Sequence, residues 1–259
     1  MNKQLKIVLV TLLSFGLYYY VDELYFYTIR EGFNGLINQY GISHILAYII
    51  VGIPILLGTL LLHQRNHLLQ RLGLNQSIVK GFVFALICTL PMFIGFAFLF
   101  DLNEEISFNT ILIGIIAAGL FEELYFRGFL FGQLFRFTRL GFITSVLLGA
   151  VLFGLVHIKQ GTSLDEIIGI FLVTFMGGIL FAWLFVEWNC NLWVSIFLHM
   201  LMNLAWDLFA VSDNALGDNY SNIFRIATIS LSIILTIIYK KRKGISLQVK
   251  RSNLIMKAK

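Results

Sequence analysis

Eight stretches of this chain are each apolar and long enough to approach the thickness of a lipid bilayer, which leaves few folds open to it. A helix needs roughly 20 apolar residues to cover a hydrocarbon core about 30 Å thick. Such stretches run near Ile7 to Val21, Ser43 to Leu62, Gly81 to Phe100, Phe108 to Phe135, Phe142 to Ile158, Ile167 to Val186, Leu192 to Phe209 and Ile223 to Tyr239. Inside lipid no backbone N–H or C=O can turn to water, so only helices or a closed barrel can cross. Barrel strands read as segments of about ten residues with alternating polarity, and none occurs here. Two prolines among 259 residues suit uninterrupted helices. The sequence therefore predicts an all-α, polytopic integral membrane protein of about eight transmembrane helices. Short connections make it a single membrane domain over residues 1–259, with a four-helix core at about 108–210 and a basic tail at 240–259.

Charge sets the topology. With both ends in the cytoplasm, Lys3, Lys6, Arg65, Arg71, Lys80, Arg136, Arg139 and the basic residues from Lys240 onward all fall on that side. The opposite loops then hold Arg30, Lys159 and Arg225, the asymmetry expected of an inserted protein. Acidic residues segregate the other way, with Glu187 alone on the basic side. The first apolar run has a signal-peptide look but lacks a small-x-small cleavage site, so it is expected to stay as a helix, with Tyr18 to Tyr20 in the interfacial belt. The tail beginning Lys240-Lys241-Arg242-Lys243 reads as a topological anchor with some attraction to anionic lipid. A net charge of +5 spread this way is no nucleic-acid footprint. Cys88 and Cys190 have no C-x-x-C spacing and read as packing residues.

What remains inside the membrane is conspicuous, because an ionisable group at mid-bilayer costs at least about 2.5 kcal/mol and calls for a partner or a function. Glu122, Glu123 and Arg127 lie on the fourth span, His157 ends the fifth, and His199 sits within the seventh. Glu123 and Arg127 share a helix face at i,i+4 and can neutralise each other. Glu122, about 100° round an α-helix, can keep its carboxylate free. Phe153 stands one turn before His157, with Gly154 allowing close helix approach. His199 and Asn203, also one turn apart, present an imidazole and a carboxamide to one point. Each group alone is explained by ion pairing or interhelical hydrogen bonding. Together they form an inventory for hydrolysis: a carboxylate and a histidine to activate water, and His and Asn donors for an oxyanion. His44, His63 and His67 fall near span ends or in a basic loop and read as ordinary polar residues.

The ordered set E-E-x-x-x-R, F-x-x-x-H and H-x-x-x-N on successive spans resembles the CPBP family. That name covers CAAX proteases and bacteriocin-processing enzymes, bacterial members often being labelled Abi. The resemblance covers Glu122 to Asn203. It implies an intramembrane glutamic-type endopeptidase in which Glu122 and His157 activate the attacking water, His199 and Asn203 form the oxyanion site, and Glu123, Arg127 and Phe153 support the geometry. Catalytic residues on this reading are Glu122, Glu123, His157, His199 and Asn203. The expected substrate is a membrane-associated or small secreted peptide or protein, and the expected location is the bacterial cell membrane.

No cofactor is expected. Zinc stays open as an alternative, with Glu122, His157 and His199 as ligands, although no H-E-x-x-H is present. Two other functional classes stay open too: a small proton-coupled transporter built on the same ionisable groups, and a non-catalytic scaffold regulating a sensor kinase or transporter. At about 1.5 Å per residue, the span boundaries put Glu122, His157 and Asn203 about 20 to 24 Å from the cytoplasmic end. The resemblance implies access from that side, so the two expectations pull apart.

Overall fold

The computed structural model describes residues 2–257; Lys259, part of the basic tail, lies outside them. The chain is all-α. Among the described residues, seven helices are long and apolar enough to cross a membrane: α1 (Lys3–Ile37), α2 (Tyr40–Leu62), α3 (Ile78–Leu99), α4 (Phe108–Phe137), α5 (Phe142–Gln160), α6 (Leu164–Glu187) and α8 (Asn219–Arg242). Between the last two lies α7 (Leu192–Leu208), apolar but of 17 residues, or about 26 Å, a little short of the hydrocarbon thickness. The eight expected elements are all present.

Local chemistry explains where they start. Ser77 caps α3, the reciprocal pairs Ser107 with Thr110, Ser163 with Glu166 and Asp218 with Ser221 box the starts of α4, α6 and α8, and Asn191 caps α7. Each side chain satisfies an N–H that the first turn leaves without a partner. α2 breaks at Gly52: Pro54 lacks the N–H of a continuous helix, and the Tyr125 hydroxyl donates to the Tyr48 carbonyl at 2.7 Å. A Cβ on Gly52 would stand 2.0 Å from that hydroxyl, so only glycine admits it.

α4 is the central helix and touches α1, α2, α5, α6 and α7. Its middle, Ile111–Phe131, is hydrogen-bonded in the wide i→i+5 pattern, the last such bond running from Gly132 N–H to the Arg127 carbonyl. Such winding recurs at functional sites. Leu13, Val79 and Phe98 are among many large apolar residues facing outward. In water such a surface is a liability, whereas lipid solvates it.

Four expectations need correcting. The first helix continues to Ile37, so Asp22, Glu23, Arg30 and Glu31 are helical rather than in a loop. Tyr18 is buried against Phe15 and Tyr125 instead of lying in an interfacial belt. Arg225 is inside α8, buried, and not a loop charge. The tail is docked: Gly141 and Ile143 N–H donate to the Ile255 and Leu254 carbonyls at 2.8 Å, and Glu187 accepts from Lys240 and from the Gln248 and Val249 amides. The cation and amides around Glu187, at the end of α6, offset the cost of burying its carboxylate. These contacts, with Trp188 stacked on Tyr239, tie α6 to α8 at the end of the bundle that carries both termini.

Candidate active site

The fully buried Glu123 joins two helices. Its Oε1 lies 3.1 Å from Nη1 of Arg127, one turn along α4, and accepts from Nδ1 of His199 on α7 at 2.9 Å. Arg127 is 2% exposed, and neither Nη makes an aligned hydrogen bond among the described residues. Charge and aromatic faces hold it instead: its centre is 4.1 Å from the Phe153 ring and 5.5 Å from that of Phe181, the geometry of cation–π attraction. Gly178 lies beside it: a Cβ there would be in ordinary contact with Nη2 at 3.5 Å and tighter against Ala150 at 3.2 Å, so the glycine eases the approach of α6 to α5. Phe181 also stacks on His199, centroids 5.3 Å apart. Phe153 is thus the platform under Arg127 as well as a neighbour of His157.

Glu122 is placed differently. It is half-buried and reaches a cavity of about 1070 Å³ lined also by Phe153, His157, His199 and Asn203. Its Oε2 is buried with no hydrogen-bond partner among the described residues. His157 donates from Nδ1 to the Phe153 carbonyl at 2.7 Å. A carbonyl only accepts, so the proton sits on Nδ1 and Nε2 keeps its lone pair. Asn203 spends one amide hydrogen on the Gly114 carbonyl of α4 at 2.8 Å and retains the other. Gly154 allows the close approach its spacing suggests, since a Cβ there would meet Phe171 at 2.7 Å.

All five sequence-selected residues come together, though not by direct bonds alone: no hydrogen bond joins Glu122 to His157 among the described residues. The zinc alternative does not fit. Among the described residues no group of three or more His, Cys, Asp or Glu is arranged to hold a metal ion. The other histidines take ordinary places: His44 packs between Phe26 and Tyr48, His63 bonds Gln133 at 2.7 Å, and His67 is exposed.

The cavity is wider than the expected four-helix core. Arg225, Ile226, Ile229 and Ile233 of α8 line one wall. α6 and α8 barely touch away from their tied end, and Leu172, Met176 and Ile226 on the two rims are exposed. The site therefore opens sideways, on the face that lipid covers. Gln160 and the segment 212–215 line its far end, opposite the termini. This resolves the depth mismatch: the residues are deep, and the opening is lateral. Sequence reasoning missed Phe181, Gly178 and Arg225. Only the last left a signal, a charge inside an apolar run.

The fold and site define a polytopic helical membrane protein with a buried polar centre. Residues 103–205, which include every motif position from Glu122 to Asn203, match the family model described as type II CAAX prenyl endopeptidase Rce1-like. Over this core the chain is similar to that family. No curated protein and no solved structure matches the chain.

Proposed function

We propose that the chain is an intramembrane endopeptidase whose water is activated by Glu122 and His157. The observation that carries this reading is that a carboxylate, Glu122, and an imidazole whose Nε2 keeps its lone pair, His157, line one cavity. A water between them gives its proton to one as its oxygen attacks a peptide carbonyl. The missing direct bond between the two residues leaves room for that water.

The tetrahedral oxyanion is served by Asn203, through its second amide hydrogen, and by His199. With Nδ1–H given to Glu123, His199 donates from Nε2 only as the imidazolium, and Glu123 is the counter-ion for that form. Arg127 faces Glu123 and holds it oriented, which makes the pair supporting rather than reacting groups. Preorganised donors of this kind supply much of the catalysis in acyl transfer.

The lateral opening suits a peptide that arrives within or along the membrane. The basic-residue asymmetry supports a reading with both termini on the cytoplasmic side of the membrane. A non-catalytic scaffold places no demand on such a pair. Glu122→Gln is the test: it preserves volume and removes the base. Purified in detergent or liposomes, it should fold with an unchanged melting temperature and cleave no peptide that the parent cleaves. Cleavage at the parental rate would overturn the assignment.

A further inference from the structure

Arg225 is the buried charge that the reaction scheme leaves unused. It projects from α8 into the same cavity and is 7% exposed. It makes no ion pair among the described residues, and its Nη1 is buried with no hydrogen-bond partner. Its one strong contact is Trp206, whose ring lies 4.1 Å from the guanidinium centre. That ring is itself pinned by a bond from Nε1 to the Ser212 carbonyl at 3.1 Å.

The two carboxylates nearby do not serve it. Asp207 is turned towards α4, where a Cβ on Gly114 would stand 3.1 Å from its Oδ2. Asp213 is exposed in the loop between α7 and α8. A guanidinium taken out of water without a counter-ion is costly unless an anion completes it, and its planar fork matches a carboxylate. Arg127 has its carboxylate built in; Arg225 has the cavity.

Position narrows the ligand. Trp206 follows Asn203 by one turn of α7, so Arg225 sits about one turn beyond the oxyanion donors. At about 3.3 Å per residue, a peptide with its carbonyl at Asn203 and His199 brings a group one to three residues away to Arg225.

We infer that Arg225, held on Trp206, is a specificity subsite that binds a carboxylate of the peptide substrate. The inference rests on the peptidase reading for its ligand. Two carboxylates share this chemistry, a chain terminus and an Asp or Glu side chain.

The probes are three dansylated apolar peptides of one sequence: the free acid, its C-terminal amide, and the amide with one Glu near the end. Binding is followed by dansyl fluorescence with the full-length protein in detergent. The free acid should bind the parent roughly ten- to hundredfold more tightly than the amide, the worth of a charge-assisted hydrogen bond. Glu122→Gln should show the same preference, since binding needs no turnover; loss of cleavage therefore leaves this result readable. Arg225→Gln should bind acid and amide alike, and Arg225→Lys should recover part of the difference. A guanidinium serving only to pack Trp206 would shift the melting temperature and leave the acid preference untouched. If the Glu-bearing amide gains affinity through Arg225 and the acid does not, the site reads a side chain instead of a terminus. Equal binding of all three peptides by the parent overturns the inference without any variant, as does a carboxylate preference that survives Arg225→Gln.

Discussion

Replacing Arg127 by alanine removes the guanidinium that faces Glu123 and leaves a fully buried carboxylate. Breaking a buried pair from one side costs about 3 to 5 kcal/mol, because the surviving charge stays desolvated. His199 limits the loss, since its bond to the same oxygen at 2.9 Å remains, so the lower figure is expected. For a chain of this size, with about 2 to 4 °C lost per kcal/mol, the melting temperature should fall by about 6 to 12 °C. The paired variant Glu123→Gln with Arg127→Met removes both charges and keeps much of the volume between Phe153 and Phe181. Removing a buried pair whole is often neutral or stabilising, so this variant should melt close to the parent. It should still cleave poorly, because His199 has lost its counter-ion. Tryptophan fluorescence during heating in detergent reads the first effect and peptide cleavage the second. An Arg127→Ala protein that melts with the parent, or a double variant as unstable as the single one, would refute this account of the pair.

Three further outcomes are expected. Asn203→Ala should slow cleavage by about 10² to 10³ and, by losing its bond to the Gly114 carbonyl, cost about 1 kcal/mol in stability; an unchanged rate would remove Asn203 from the oxyanion site. Burial lowers the pKa of His63, outweighing the bond to Gln133. Its neutral form is thus favoured in the folded state, so its contribution to stability is present above about pH 6.5 and is shed as pH falls below that value. His63→Gln should flatten the fall of melting temperature on acidification, and an identical slope would exclude this role. Single cysteines at Gln4 and Ser252, with Cys88 and Cys190 replaced, should react with an impermeant maleimide from one side of the membrane and a cysteine at Asp213 from the other; labelling of Gln4 and Ser252 from opposite sides would rule out an even number of crossings.

Much of this protein was legible before any coordinates. Lipid solvates no backbone polar group, so apolar runs of this length had to become helices. The site residues were legible for the same reason: a Glu, Arg or His within such a run is costly enough to stand out, as Glu122, Arg127 and His199 do.

Tertiary structure decided which of these groups meet. That Glu123 bonds His199 while Glu122 stays free depends on how α4 and α7 are rotated against each other, which no spacing along one helix encodes. Phe181 and Gly178 were invisible as site residues, since a Phe or Gly in an apolar run looks like any other until Arg127 is packed against it. Arg225 counted as a loop charge because sequence shows only that it is near a span end. Its burial beside Trp206 and the cavity comes from the splay of α8 away from α6 beyond the Glu187–Lys240 tie. Local sequence determined the helices and flagged the charges, because the cost of polarity in lipid acts residue by residue. Pairing, opening and access were left to packing, because those energies exist only between helices.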